Sequence, residues 1–205
     1  MRVLVVDYGM GNLASARRGF EEGGADVLVS SDPAAIADAG AIVVPGVGAF
    51  GQAMDRLNGA GWSDALRGAA ADGKPILGVC LGMQLLAGKG EEGGHNEGLG
   101  LIPGTVRRLV PEEGERVPHV GWNAVDPADG EPLFAGIPDG ADFYFVHSFQ
   151  FQPDDPAHVV ATTPYAGGVV AAVRLGRVAG TQFHPEKSSR VGLQLIRNFL
   201  AEARG

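Results

Sequence analysis

The chain has 205 residues, 45% of them hydrophobic, and a formal net charge of −8 at pH 7. That length suits one α/β domain spanning 1–205 with a substantial core, and the acidic balance excludes nucleic-acid binding, which needs a basic patch, as the main activity. One cysteine excludes an intrachain disulfide framework and points to a reducing compartment, so a cytoplasmic protein is expected.

The first apolar run, Val3 to Val6, is too short for a signal peptide and reads as a strand. No run approaches the ~20 apolar residues that cross a bilayer, so no membrane partner is expected. Continuous apolar strands of this kind suit a parallel sheet covered on both faces. Leu13 to Glu22 then reads as a helix stopped by Gly23-Gly24. The loop between them, Gly9-Met10-Gly11, lacks the third glycine and the later acidic partner of a dinucleotide site.

Asp26 to Val29 and Ala41 to Val44 are the next strands. The second of these ends in Pro45-Gly46-Val47-Gly48, where an open α/β sheet binds its ligands, although a plain turn fits the same residues. Gly51 to Ala71 reads as one helix. The strand ending at Val79 follows, and then Gly78-Val79-Cys80-Leu81-Gly82-Met83-Gln84. A strand, a turn flanked by glycines, a reactive residue and a helical stretch together form a nucleophile elbow. A helix start under the sulfur favours thiolate over thiol. The N–H of Leu81 and one from the Gly46-Val47-Gly48 loop are candidates for an oxyanion hole. The elbow alone leaves the substrate open, because hydrolases and cysteine peptidases share it.

From about Glu91 short β-rich runs take over: Thr105 to Val110, Val117 to Val125, Phe143 to Phe151, Val159 to Thr162, Val169 to Leu175 and Arg177 to Phe183. They predict antiparallel pairs added to a mixed, mostly parallel central sheet that helices flank. A last helix, Val191 to Ala203, offers Leu193, Ile196, Phe199 and Leu200 as its apolar face.

A cysteine nucleophile needs a base, and the base needs an orienting group. Of five histidines, His95 and His158 sit in polar surroundings, while His119 and His147 fall within β-rich runs, where a satisfied structural role is expected. His184 differs, because it follows a strand end and leads His184-Pro185-Glu186, whose rigid proline turn lets both side chains point the same way. Glu186 then holds one ring nitrogen while the other faces Cys80.

Taken together, G-V-C-L-G-M-Q-L-L and F-H-P-E resemble the class I, or triad, glutamine amidotransferases. D-Y-G-M-G-N, P-G-V-G-A-F, P-H-V-G-W-N, Y-F-V-H-S-F and T-Q-F-H-P-E-K-S are similar to the branch of glutaminase subunits that serve imidazole glycerol phosphate synthesis in histidine biosynthesis. The match runs from about Val3 to Phe199. The resemblance implies the flavodoxin-like layering of that family. It also implies that Cys80 attacks the side-chain amide of glutamine, His184 shuttles the proton and Glu186 holds His184. It further implies that Gln84, Glu92 and the Ser148-Phe149 backbone grip the substrate head, with Phe149 standing where the family often has tyrosine. The loop at Gly46 to Gly48 is implied to flip a peptide before the oxyanion hole is complete. Ammonia is implied to pass to a (β/α)8-barrel cyclase, with Asn12, Trp122, Tyr144 and Lys187 at positions that face it, although residue type alone would place Trp122 and Tyr144 in a core. Neither the family nor the residue spacing calls for a cofactor or metal.

Overall fold

A computed structural model describes residues Met1–Gly205. In chain order the strands are β1 (Arg2–Val6), β2 (Asp26–Ser30), β3 (Ala41–Gly46), β4 (Ile76–Cys80), β5 (Lys89–Gly90), β6 (Asn96–Glu97), β7 (Gly104–Arg108), β8 (His119–Ala124), β9 (Asp126–Pro127), β10 (Asp142–His147), β11 (Phe149–Pro153), β12 (Val159–Thr163), β13 (Val169–Leu175) and β14 (Val178–Thr181). The α-helices are α1 (Leu13–Glu22), α2 (Phe50–Gly59), α3 (Trp62–Ala71), α4 (Leu81–Leu85) and α5 (Ser189–Ala203).

An eight-stranded sheet runs in the order β2-β1-β3-β4-β14-β13-β12-β9. Strands β2, β1, β3, β4 and β14 are parallel, and β13, β12 and β9 add an antiparallel edge. Side-chain alternation divides the sheet between two cores. Leu4, Val6, Ile42, Val44 and Ile76 face α2, α3 and α4. Val3, Val5, Ala41, Val43, Leu77 and Val79 face α1 and α5. Both faces are therefore dry, as near-continuous apolar strands require. No helix is long and apolar enough to cross a membrane.

The single helix expected over Gly51 to Ala71 is two. Gly61 takes a left-handed φ of +76°, and Ala60-Gly61 turns the chain between α2 and α3. The buried face changes phase there: Phe50, Ala53, Met54 and Leu57 share one helical face, and Trp62, Leu66 and Ala69 are out of step with it. The run Phe143 to Phe151 is likewise two strands: β10 pairs with β8 in a ribbon, while β11 pairs with β7 in a separate four-stranded sheet. On α5 it is Leu195 that is fully buried beside Ile196, Phe199 and Leu200, whereas Leu193 is only half-buried.

Beneath the carboxyl end of β14 lies an aromatic cluster. The Phe183 ring is 4.2 Å from Phe143, 5.6 Å from Phe145 and 6.3 Å from Phe134, centroid to centroid. Phe183 directly precedes His184, so the cluster fixes the chain entering the His-Pro-Glu turn. Phe183→Ala should cost about 3–5 kcal/mol of stability, as large-to-small changes in a packed aromatic core do. Urea unfolding reads this directly, and a loss below about 1 kcal/mol would contradict the packing described.

Candidate active site

Cys80 ends β4, and α4 starts at the next residue. Its backbone sits at φ +55° and ψ −111°, a region that costs a non-glycine residue on the order of 1–3 kcal/mol. The two flanking glycines make the turn possible. A Cβ on Gly78 would lie 2.5 Å from the Gly82 carbonyl oxygen, and one on Gly82 would strike the Val44 carbonyl. The turn lifts the Cys80 side chain off the sheet end into a cavity of about 280 Å³.

His184 reaches the same cavity from the neighbouring strand. Strands β4 and β14 are parallel, with Thr181 opposite Val79, so both chains leave the sheet on one edge. The His184 backbone is pinned on both sides: its N–H donates to Tyr144 O at 3.0 Å, and its carbonyl accepts from Ser188 Oγ at 2.6 Å. Glu186 Oε1 lies 2.8 Å from His184 Nδ1, with 4% and 6% of the two side chains exposed. A carboxylate held there fixes Nδ1 as the protonated nitrogen and aims Nε2 elsewhere.

Nε2 is buried without a hydrogen-bond partner. Burial alone would lower the His184 pKa, but Cys80 and Glu186 outweigh it, and the imidazole is raised to about 9. Cys80 thus perturbs the ring without an aligned hydrogen bond between Sγ and Nε2. Sγ instead lies 3.8 Å from Val146 O and 3.8 Å from Gln182 Nε2.

Val47, Gly48 and Leu81 line the cavity wall around the sulfur. Gly46 stands behind that wall, where a Cβ would lie 2.5 Å from Tyr8 Oη and 2.9 Å from Leu81 Cβ. Burial and the nearby Cys80 hold the Tyr8 phenol protonated, and it donates to Pro45 O at 2.8 Å, tying down the root of the loop. Gln84, Glu92, Ser148 and Phe149 form the opposite side. Glu92 Oε2 accepts from the Phe50 N–H at 2.7 Å and so also caps α2. The Phe149 carbonyl is already occupied, taking Gln84 Nε2 at 2.9 Å and His147 Nδ1 at 2.8 Å.

Of the remaining four sequence candidates, Trp122 and Tyr144 lie on the β8–β10 ribbon, Lys187 stands by Tyr144 and Asn12 precedes α1. Trp122 is 50% exposed rather than in a core, because the β8–β10 ribbon turns it outward together with Val120, Val146 and the half-buried Tyr144. Trp122 packs on Tyr144 at 5.9 Å, and Lys187 Nζ sits 6.0 Å from the Tyr144 ring. Asn12 is exposed and caps α1 through its side chain. Sequence reading missed Gln182, Pro118 and Val146, which adjoin the site. All three fall in the blocks P-H-V-G-W-N, Y-F-V-H-S-F and T-Q-F-H-P-E-K-S, which carried the resemblance without giving them a role.

A model of the class-I glutamine amidotransferase family matches residues 4–203. The chain is 48% identical over 198 residues to the imidazole glycerol phosphate synthase subunit HisH of Symbiobacterium thermophilum, covering 97% of this chain and 92% of that one. It is 49% identical over 205 residues to the subunit of the same name from Natronomonas pharaonis, covering 97% and 93%. Among solved structures, one described as a glutamine amidotransferase superposes with a TM-score of 0.77 at 20% identity, covering 98% of this chain and 99% of that one, which speaks to the fold.

The raised His184 pKa has a direct test. In Cys80→Ala the sulfur that favours the cation is gone while burial remains, so the imidazolium is less favoured and its titration midpoint should fall from about 9. NMR titration of the ring measures both proteins, and equal midpoints would contradict the coupling. A folded pKa above the ordinary 6.5 also means stability that is full below pH 6.5 and lost as pH rises through about 9.

Proposed function

Since the chain belongs to the class-I glutamine amidotransferases, we propose that it is the glutaminase subunit of an imidazole glycerol phosphate synthase. One observation carries the chemistry: the strand-end thiol and the His184–Glu186 pair meet in a cavity of about 280 Å³, at the small end of ligand sites. That size favours an amino acid over a peptide. Residues 1–205 act as one amidotransferase domain.

In this reading Cys80 yields its proton to His184 Nε2, and Sγ attacks the carboxamide carbon of glutamine. The oxyanion is met by the N–H of Leu81 and an N–H of the Gly46-Val47-Gly48 loop. His184 returns the proton to the departing nitrogen, and ammonia leaves with a γ-glutamyl thioester on Cys80. Water, deprotonated by His184, attacks the thioester to release glutamate and restore the thiol. Glu186 keeps the ring in one tautomer and stabilises its cation. Gln84, Glu92 and the Ser148-Phe149 segment hold the amino-acid head.

The ammonia passes to a (β/α)8-barrel cyclase, which uses it to form imidazole glycerol phosphate and an aminoimidazole carboxamide ribotide in histidine biosynthesis. Its docking face is the exposed apolar side of the ribbon, with Trp122, Tyr144 and Lys187, and it takes in Asn12 at the start of α1. Contiguous exposed apolar surface of this kind favours a partner, and Val120 is 56% exposed beside Trp122. Strand β10 gives that face a route to the chemistry. Its Tyr144 carbonyl accepts the His184 N–H, and its Val146 carbonyl faces Cys80 Sγ. A partner pressing on Tyr144 and Val146 therefore acts on the strand that touches both groups. The site needs no metal or cofactor, nucleic acid and membrane are not partners, and the assembly works in the cytoplasm.

Two outcomes are expected. An oxyanion donor is worth about 10²–10³ in kcat, so adding cyclase and its nucleotide ligand should raise glutamine turnover by about that factor if docking completes the hole. Equal rates with and without the partner would contradict the assignment. Cys80→Ala should abolish glutamine-dependent synthesis by the complex while synthesis from added ammonia persists; retained glutaminase activity in that variant would remove Cys80 as nucleophile.

A further inference from the structure

Behind the nucleophile, buried amides form a chain whose hydrogen-bond direction is forced from one end. The Phe149 carbonyl can only accept. It takes Gln84 Nε2 at 2.9 Å, and the same Nε2 lies 2.9 Å from Gln182 Oε1. Gln84 therefore shows its NH2 group to both neighbours, and Gln182 must answer with its oxygen. Its own NH2 is left facing Cys80 Sγ at 3.8 Å. The Gln182 backbone is fixed as well, because its N–H donates to Ala171 O at 2.8 Å and the residue is fully buried. Flipping either amide would set like groups against each other in a dry site, which costs more than the bond itself.

A second branch leaves the same carbonyl with the same sense. His147 Nδ1 donates to Phe149 O at 2.8 Å, so its Nε2 is bare and accepts from His119 Nδ1 at 2.9 Å. His119 Nε2 is then bare in turn and accepts from Asn123 Nδ2. Both rings are neutral in this arrangement, and burial lowers each to about 4. An added proton on His147 would oppose one N–H to another.

We infer that Gln182 is a positioning residue for the nucleophile: its side-chain N–H, aimed by Gln84 and the Phe149 carbonyl, fixes the Cys80 sulfur and favours its thiolate. The Val146 carbonyl at 3.8 Å can only accept, so it stabilises the thiol and opposes the anion. Gln182 supplies the opposing donor. Charge-assisted bonds are the stronger kind, so Gln182 counts for more once the sulfur is ionised. Only the catalytic consequence rests on the proposed function; the effect on sulfur does not.

The test uses the full-length chain, in which Cys80 is the only cysteine. Gln182→Met keeps the side chain's length without the donor, and Gln182→Glu turns an acceptor toward the sulfur. Iodoacetamide labelling of Cys80 is followed against pH by mass spectrometry, with thermal unfolding as a check on folding. The labelling midpoint should rise by about one unit in the Met variant and by more in the Glu variant. Gln84→Leu, which frees the Gln182 amide to rotate, should shift it in the same direction and serves if the Gln182 variants do not fold. A purely packing role would change thermal stability and leave the midpoint in place. Folded variants with the wild-type midpoint overturn the inference even if glutamine is still hydrolysed. A shifted midpoint upholds it even if the wild-type chain, with cyclase and its nucleotide ligand added, never hydrolyses glutamine, an outcome that removes the proposed function alone.

Discussion

The pairing of β4 with β14 is the constraint on which the rest depends. These strands are far apart in sequence, yet they lie side by side and parallel, with Thr181 opposite Val79. Parallel neighbours end on the same edge of the sheet, so a thiol one residue past Val79 and an imidazole three past Thr181 emerge together. A slip of one residue would send each strand's side chains to the opposite core and separate the pair. The register is held by burial on both faces, because Ile76 and Val79 belong to different cores. Stability and chemistry are thus fixed by the same set of contacts.

Strand β10 is the second organising element, and it faces two ways. Its inward side chains, Phe143 and Phe145, are fully buried in the aromatic cluster beneath His184. Its outward ones, Tyr144 and Val146, stand on the exposed ribbon face. Its carbonyls touch what lies between: the His184 N–H and the Cys80 sulfur. The strand therefore links the ribbon surface directly to the site. Ser188 strengthens it, accepting from the Tyr144 N–H at 3.0 Å while donating to the His184 carbonyl.

Much of this was legible in the residues. Cys80 between Gly78 and Gly82 announces a turn too tight for a Cβ, and His184-Pro185-Glu186 announces a carboxylate that can reach its own ring. The helix Leu13–Glu22 and the strand Val169–Leu175 have the bounds that their patterns predict. What stayed hidden depends on contacts remote in sequence. Trp122 is turned outward only because the ribbon packs by its other face, whereas the break at Ala60-Gly61 was marked by its glycine and by the change of helical face across it. Gln182 reads as an ordinary strand-end polar residue until Gln84 and Phe149 are placed beside it.

The central claim is that Cys80 and His184 work as one unit in an amino-acid-sized cavity. A glutamine-analogue electrophile, with mass spectrometry of the adduct, tests it most directly. The account predicts one adduct, on Cys80, forming about 10²–10⁴-fold more slowly in His184→Asn, the range that a positioned base contributes. An adduct on another residue, or the same rate in that variant, would contradict it.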